Sequence, residues 1–341
     1  MPGIHLIKHL LEHFDAIFPF IPNAKAIVTM SQSSSLIRTT VLALAATHLR
    51  CMAPSIVQHR ISEHFQQALA LQQYQAVLYM PRDELTQESA VALLLSAILL
   101  NILAFVLPAS EVGQCVSGTD DGGTWDLSWL AMQAGLRPLM KHISTYLEPS
   151  YAFLEVLFVG SDRPDWGPEA VSKGLERVPK HWRQLFEIED VAGDLIDCDG
   201  EVTAIAQTSP AAHRRRVNDF YRSHGNHYRV PVFILTLLKD VVVKPGHAFK
   251  NLQFLIKLQP DFRALLSSRD ERALFLYCYW LGLMCRFEGT WWSDQRVQRD
   301  YTAISSYLKT LQLPSRAGEE GILWAQMVRE LDDILETNVQ D

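Results

Sequence analysis

An all-α fold, one irregular multi-helix bundle, is what this chain predicts, and three observations predict it. Apolar residues recur at three- and four-residue intervals along most of the 341 residues, which is the spacing of one face of a helix. No stretch sustains an apolar–polar alternation and no Asn-Gly turn occurs, so a sheet has no carrier. The composition, 48% hydrophobic and 20% charged, is too apolar for a disordered chain. A chain of this length hides roughly three quarters of the surface it exposes when unfolded.

The elements follow in order. Ile4, Ile7, Leu11, Phe14 and Phe18 set one apolar stripe on an opening helix, which Pro19 and Pro22 stop, since proline removes a backbone donor and restricts its predecessor. Residues 36–50, rich in Ala and Leu, form the next helix. After Pro54 a helix over 55–78 carries Ile56, Ile61, Phe65, Leu69 and Leu78 on its predicted inner side, and Pro81 ends it. The helix over 84–107 is so apolar that from Ala90 onward only Ser96 and Asn101 interrupt it. Those 18 residues barely reach across a bilayer, and no Lys or Arg follows until Arg137, so a helix buried on all sides is expected rather than a membrane span.

Residues 108–124, with four glycines, read as a long loop. Asp126 or Ser128 then caps a helix carrying Trp129, Leu130, Leu136, Leu139 and Ile143, a short side-chain oxygen satisfying the first orphan amides. A second long loop spans 160–179. Further helices are predicted over 182–196, 201–222, 230–243, 248–258, 270–288, 293–311 and 320–336. Neither loop is long or polar enough for a linker, so residues 1–341 are read as a single domain.

The formal charge of −7, from 31 Lys and Arg against 38 Asp and Glu, argues against a broad phosphate-binding face. The five cysteines, Cys51, Cys115, Cys198, Cys278 and Cys285, are odd in number and widely spaced with no C-x-x-C. They read as reduced thiols of a cytoplasmic or nuclear protein. The charged start, with His5, Lys8, His9, Glu12 and His13, lacks the apolar run of a secretory signal.

Most motifs have plainer readings. His9-Leu10-Leu11-Glu12-His13 matches the H-x-x-E-H zinc pattern, yet nothing before it builds the surrounding sheet, and a solvent-facing polar stripe is the simpler assignment. Asp332-Asp333 with Glu336 matches an acidic diphosphate-metal pattern without its downstream partner. The calcium-loop hint at Asp197, Asp199 and Glu201 fails at Leu195 and Ala206. Arg214-Arg215-Arg216 reads as a wet surface. Glycine-rich phosphate loops and the G-x-S-x-G elbow are absent from the sequence. No metal or cofactor is called for.

Four segments, in order, resemble one family. Val41 to Leu49, with the string LALAATHL, is similar to the helix that opens the regulatory domain of fungal zinc binuclear-cluster transcription factors. His64 with Ala68 and Leu69 resembles that family's "H…AL…L" helix, Trp129 to Arg137 its "WL…RG" helix, and Trp291-Trp292 its late "WW" element. Ala134 stands where Arg usually precedes the glycine. The sterol-uptake-control branch is the nearest likeness, and it implies a helical bundle around a hydrophobic ligand pocket. The six-cysteine zinc cluster is missing, so direct nucleic-acid binding is not expected.

Two functions follow as expectations. The first is a cofactor-independent isomerase or cyclase of fungal specialised metabolism, closing a terpenoid- or polyketide-like intermediate by a pericyclic step such as an intramolecular Diels–Alder cycloaddition. Its polar groups are nominated by residue type as His142, Tyr277, Arg286 and Glu288, and its pocket walls as Trp129, Trp280, Trp291 and Trp292. The same aromatics also read as plain core. The alternative is a ligand-sensing regulator or corepressor. Either way the expected partner is a hydrophobic small molecule, with a second copy or a DNA-binding transcription factor as the protein partner.

Overall fold

The computed structural model describes residues 3–21, 24–108, 127, 129–146, 176–188, 226–244 and 247–336. Among them every regular element is a helix and none is a strand. Both predicted loops (beyond their edges), the helix over 201–222, the arginine run, the candidate capping residues Asp126 and Ser128, and the acids at 120–121 and 197–201 lie outside the described residues.

The first half comprises α1 (Gly3–Glu12), α2 (Phe14–Ile17), α3 (Ala24–Ser33), α4 (Ser35–Met52), α5 (Val57–Leu78) and α6 (Gln87–Phe105). Ser34 and Thr86 cap α4 and α6, each side-chain oxygen accepting from a first-turn amide. Helix α4 is the hub, with α1, α3, α5 and α6 against it. Its Ala43, Ala45 and Ala46 are fully buried, and side chains this small let the neighbouring backbones come close.

The second half comprises α7 (Leu130–Ala134), α8 (Leu136–His142), α9 (Lys180–Leu185), α10 (Arg229–Leu238), α11 (Ala248–Asn251), α12 (Gln253–Lys257), α13 (Pro260–Ser267), α14 (Glu271–Cys285), α15 (Asp294–Thr310) and α16 (Glu319–Glu336). Its hub is α14, buried without a break from Ala273 to Met284 and surrounded by α10, α11, α13, α15 and α16. At Gly282 those helices nearly touch: a Cβ there would lie 2.5 Å from the Ile334 side chain and 3.2 Å from the Tyr301 ring.

Several expectations need correction. The opening helix breaks at His13, and its buried side is Leu6, His9, Leu10, Phe14 and Ile17, while Ile4, Ile7 and Leu11 face outward. Phe14 and Phe18 of the predicted stripe are buried, but the segment is apolar on both sides, and spacing alone misplaced the first three positions. Helix α5 is inverted in the same way: Ile56, Ile61 and Phe65 are exposed, and His59, Glu63 and Ala70 are buried. The predicted helices over 129–143 and 248–258 each divide in two, and α3 and α13 occur where none was predicted. Helix α6 is long and apolar enough to cross a membrane by length and composition, but protein covers it on all sides from Ala90 to Leu100, with Ile98 alone partly open.

Because α6 ends inside the protein, the carbonyls at its C-terminus need buried donors. Arg50 of α4 supplies one. Its Nη2 donates to the Leu107 oxygen at 3.1 Å while Nε and Nη2 hold the Glu63 carboxylate of α5 in a fork at 3.0 Å each. Arg50→Met leaves Glu63 as a buried unpaired charge and is expected to cost about 3–5 kcal/mol in urea unfolding. Adding Glu63→Leu to it removes that charge and should recover most of the loss, leaving the smaller cost of the unserved carbonyl.

Candidate functional site

One of the places where the two halves meet is a single ring. Phe105, the last residue of α6, is fully buried, with Trp129 edge-on at 4.8 Å, Trp292 at 5.7 Å and Trp280 at 6.1 Å between centroids. Trp280 stacks on Phe254 at 5.6 Å, and Tyr277 lies 5.5 Å from it on α14. Three of the four nominated tryptophans therefore surround a common centre. Trp291 turns away: its Nε1 donates to the Ile17 carbonyl at 3.2 Å, and the His48 ring lies perpendicular to it at 5.2 Å between centroids.

A buried charge pair flanks these rings. Arg296 of α15 donates from Nε to the Phe105 carbonyl at 2.6 Å, and its guanidinium carbon lies 5.4 Å from the Trp129 ring centre. Asp300, one turn on and fully buried, pairs with Arg296 at 3.8 Å and with Arg299 at 2.8 Å. The sequence nominated neither residue. Their signal was present all the same: charges four apart among Val297, Tyr301 and Ile304 stand on the apolar phase of a helix.

Three donors in this cluster have no acceptor: the Tyr277 hydroxyl, Trp129 Nε1 and Trp292 Nε1. By contrast, Trp280 Nε1 is used, donating to the Asn251 carbonyl at 2.9 Å. A buried polar group without a partner costs stability, so three around one ring cluster are chemically informative. Burial first, then Asp300, pushes the Tyr277 phenol well above its ordinary value, with Arg296 and Arg299 pulling the other way. It remains a neutral donor. The ring spacings are contact distances, so the aromatics pack on one another in this state.

The other nominated polar groups are not brought to Tyr277. Arg286 caps α14 and donates to the Lys239 carbonyl at 3.1 Å, and Glu288 is exposed beyond it. His142 ends α8, half-buried, with Nε2 unbonded. Among the described cysteines a thiolate nucleophile is disfavoured as well, because burial raises the Cys51 thiol to about 11 and Cys285 to about 12.

An open groove of about 210 Å³ lies on the opposite side of α14. Trp182 and Tyr279 meet edge-on in it at 4.8 Å, Glu330 accepts from Trp182 Nε1 at 2.9 Å and pairs with His181, and Arg177 pairs with Asp240. Both of its carboxylates are already paired, and Lys239 also lines it.

The N-terminal histidines form a third cluster. His9 and His48 share a hydrogen bond of 3.0 Å, with the His13 ring 4.6 Å from His9. Glu12 of the H-x-x-E-H string points outward, 3.6 Å from Lys8, and among the described residues no three His, Cys, Asp or Glu side chains are placed to hold a metal. Burial, then His9 and His13, lowers His48 to about 4, and burial with His13 and His59 lowers His9. The folded chain thus prefers neutral rings. Stability is full above about pH 6.5 and declines as pH falls toward 4, where His48 charges. The unfolding free energy from urea titrations across that range should drop by up to about 3 kcal/mol in the wild type, and the drop should shrink in His48→Gln.

Compared with known proteins, the chain matches no family model, no curated protein and no solved structure.

Proposed function

We propose that this protein encloses an apolar, carbonyl-bearing small molecule among the rings around Phe105 and promotes its cofactor-independent isomerisation or cyclisation. Three buried donors without acceptors, Tyr277, Trp129 and Trp292, carry the proposal. An aromatic surround binds an unsaturated carbon skeleton, and a carbonyl oxygen is the acceptor these donors lack. The substrate class, a terpenoid- or polyketide-like intermediate, rests on the resemblance to fungal regulatory domains.

A pericyclic closure needs neither nucleophile nor metal. Its new bonds form within one molecule, so product and substrate have equal mass. Holding a flexible chain near its reactive shape removes entropy from the barrier. A hydrogen bond from neutral Tyr277 withdraws electron density from a conjugated carbonyl and strengthens as that oxygen gains charge. The packed rings must part to admit the guest, so binding should alter tryptophan emission.

A second reading, a ligand sensor working through a DNA-binding partner, is favoured by the position of Arg286 and Glu288, which leaves Tyr277 without an acid–base companion.

Tyr277→Phe separates these readings. Removing an unpartnered buried hydroxyl should stabilise the free protein by about 1–2 kcal/mol. Incubated with metabolite extract from a producing fungus lacking the gene, the wild type should yield a mass-neutral product by chromatography and mass spectrometry, and Tyr277→Phe should slow it about 100-fold. Retention of a compound without conversion would favour the sensor. Retention of nothing by native mass spectrometry would remove both.

A further inference from the structure

Helix α5 presents to solvent the side that its sequence marks as apolar. Val57, Ile61, Phe65, Ala68 and Leu71 follow one another at three- and four-residue steps along one face, and all are exposed, Ile61 to 61% and Phe65 to 64%. Over its first half the inward side is polar, and Glu63 and Gln67 on it are employed. Glu63 holds Arg50, and Gln67 donates to Thr47 and Glu63 at 3.1 and 3.4 Å. The inversion is therefore built in, because turning α5 to bury its apolar stripe would tear Glu63 from Arg50.

We propose that this face is the two-fold interface of a homodimer, with α5 of two copies packed antiparallel. Area is the first reason. With Met52 and Ile56 at the same end of the helix, these side chains expose roughly 600 Å² per copy, against the about 800 Å² each partner gives to a standard interface. The polar residues bordering the stripe can supply the difference.

Charge is the second reason, and it selects a second copy over other occupants. The chain as a whole is acidic, at −7, so two copies carry a net repulsion that an uncharged face avoids. In the 22 residues of α5 the only carboxylate is Glu63, which Arg50 neutralises in the interior, and Arg60 is the only other full charge. The remaining polar side chains are mostly glutamines, which donate and accept and so suit an identical partner. A basic partner finds no free carboxylate on α5, and an acidic partner or an anionic membrane finds one arginine.

The geometry closes on itself. A two-fold axis passing between positions 64 and 65 sets Ile61 of one copy against Ala68 of the other, and Phe65 against His64. Large residues thus face smaller ones, as interdigitated helices require. Such an isologous contact stops at two copies.

The test is mass in solution. Sedimentation equilibrium of the wild type at tens of micromolar should give twice the 38.7 kDa of one chain, and Phe65→Glu or Ile61→Glu should give one chain. Both positions are exposed, so each variant should keep the wild-type circular dichroism. As a second readout, His64→Cys next to the axis should cross-link to itself under mild oxidation, and Gln75→Cys, two turns or more away, should not. A monomeric wild type overturns the proposal, whether or not it then binds phosphatidylcholine vesicles or another protein. So does a dimer that survives both glutamate substitutions, since its contact must lie on another face.

Discussion

A buried helix end governs this architecture. Helix α6 is apolar around its whole circumference and stops at Phe105 in the interior, where its last carbonyls have no water to bond. Two arginines from opposite halves serve that end. Arg296 reaches the Phe105 oxygen and Arg50 the Leu107 oxygen, and each brings its own carboxylate, Asp300 or Glu63. Cations at a helix C-terminus are favoured by the dipole as well as by hydrogen bonding. Remove the ring of Phe105 and the junction loses packing; remove either arginine and the helix end loses its solvent.

The same junction sets the chemistry of the candidate site. Bringing Arg296 to Phe105 draws a charge pair beside Trp129 and Tyr277, and the neighbouring carboxylate helps to keep the phenol protonated. The structural arginine and the unpartnered donors thus belong to one neighbourhood. A folded chain that leaves a phenol and two indoles unbonded in its centre gives up stability at that place, and such local costs gather where a protein meets a ligand.

Surface and interior are exchanged at two helices. On α1, His9 is inside because His48 offers it a partner across the helix pair, and the isoleucines stay outside. On α5, an ion pair with α4 outweighs the pull of Ile61 and Phe65 toward the core. A buried bidentate pair broken on one side costs more than a partly exposed aliphatic side chain returns on burial, so the polar contact sets the rotation of the helix. The apolar face left outside is what the pairing of two copies would cover.

By itself the sequence determined the helical class, the burial of α6 and of α14, and the approximate limits of most long helices among the described residues. These follow from short-range periodicity and from proline and capping residues, all of which act along the chain. It also marked Trp129, Trp280, Trp291 and Trp292 as interior, because rings of that size are seldom left in water, and all but the half-buried Trp291 are enclosed. Only the tertiary structure decided that these three meet at Phe105, that Arg296 and Asp300 join them, and that Arg286 and Glu288 stand apart. It alone turned α1 and α5 about their axes. A helix with apolar residues on two sides has no preferred rotation of its own, and the partner that settles it, His48 for His9 or Arg50 for Glu63, lies on a different helix.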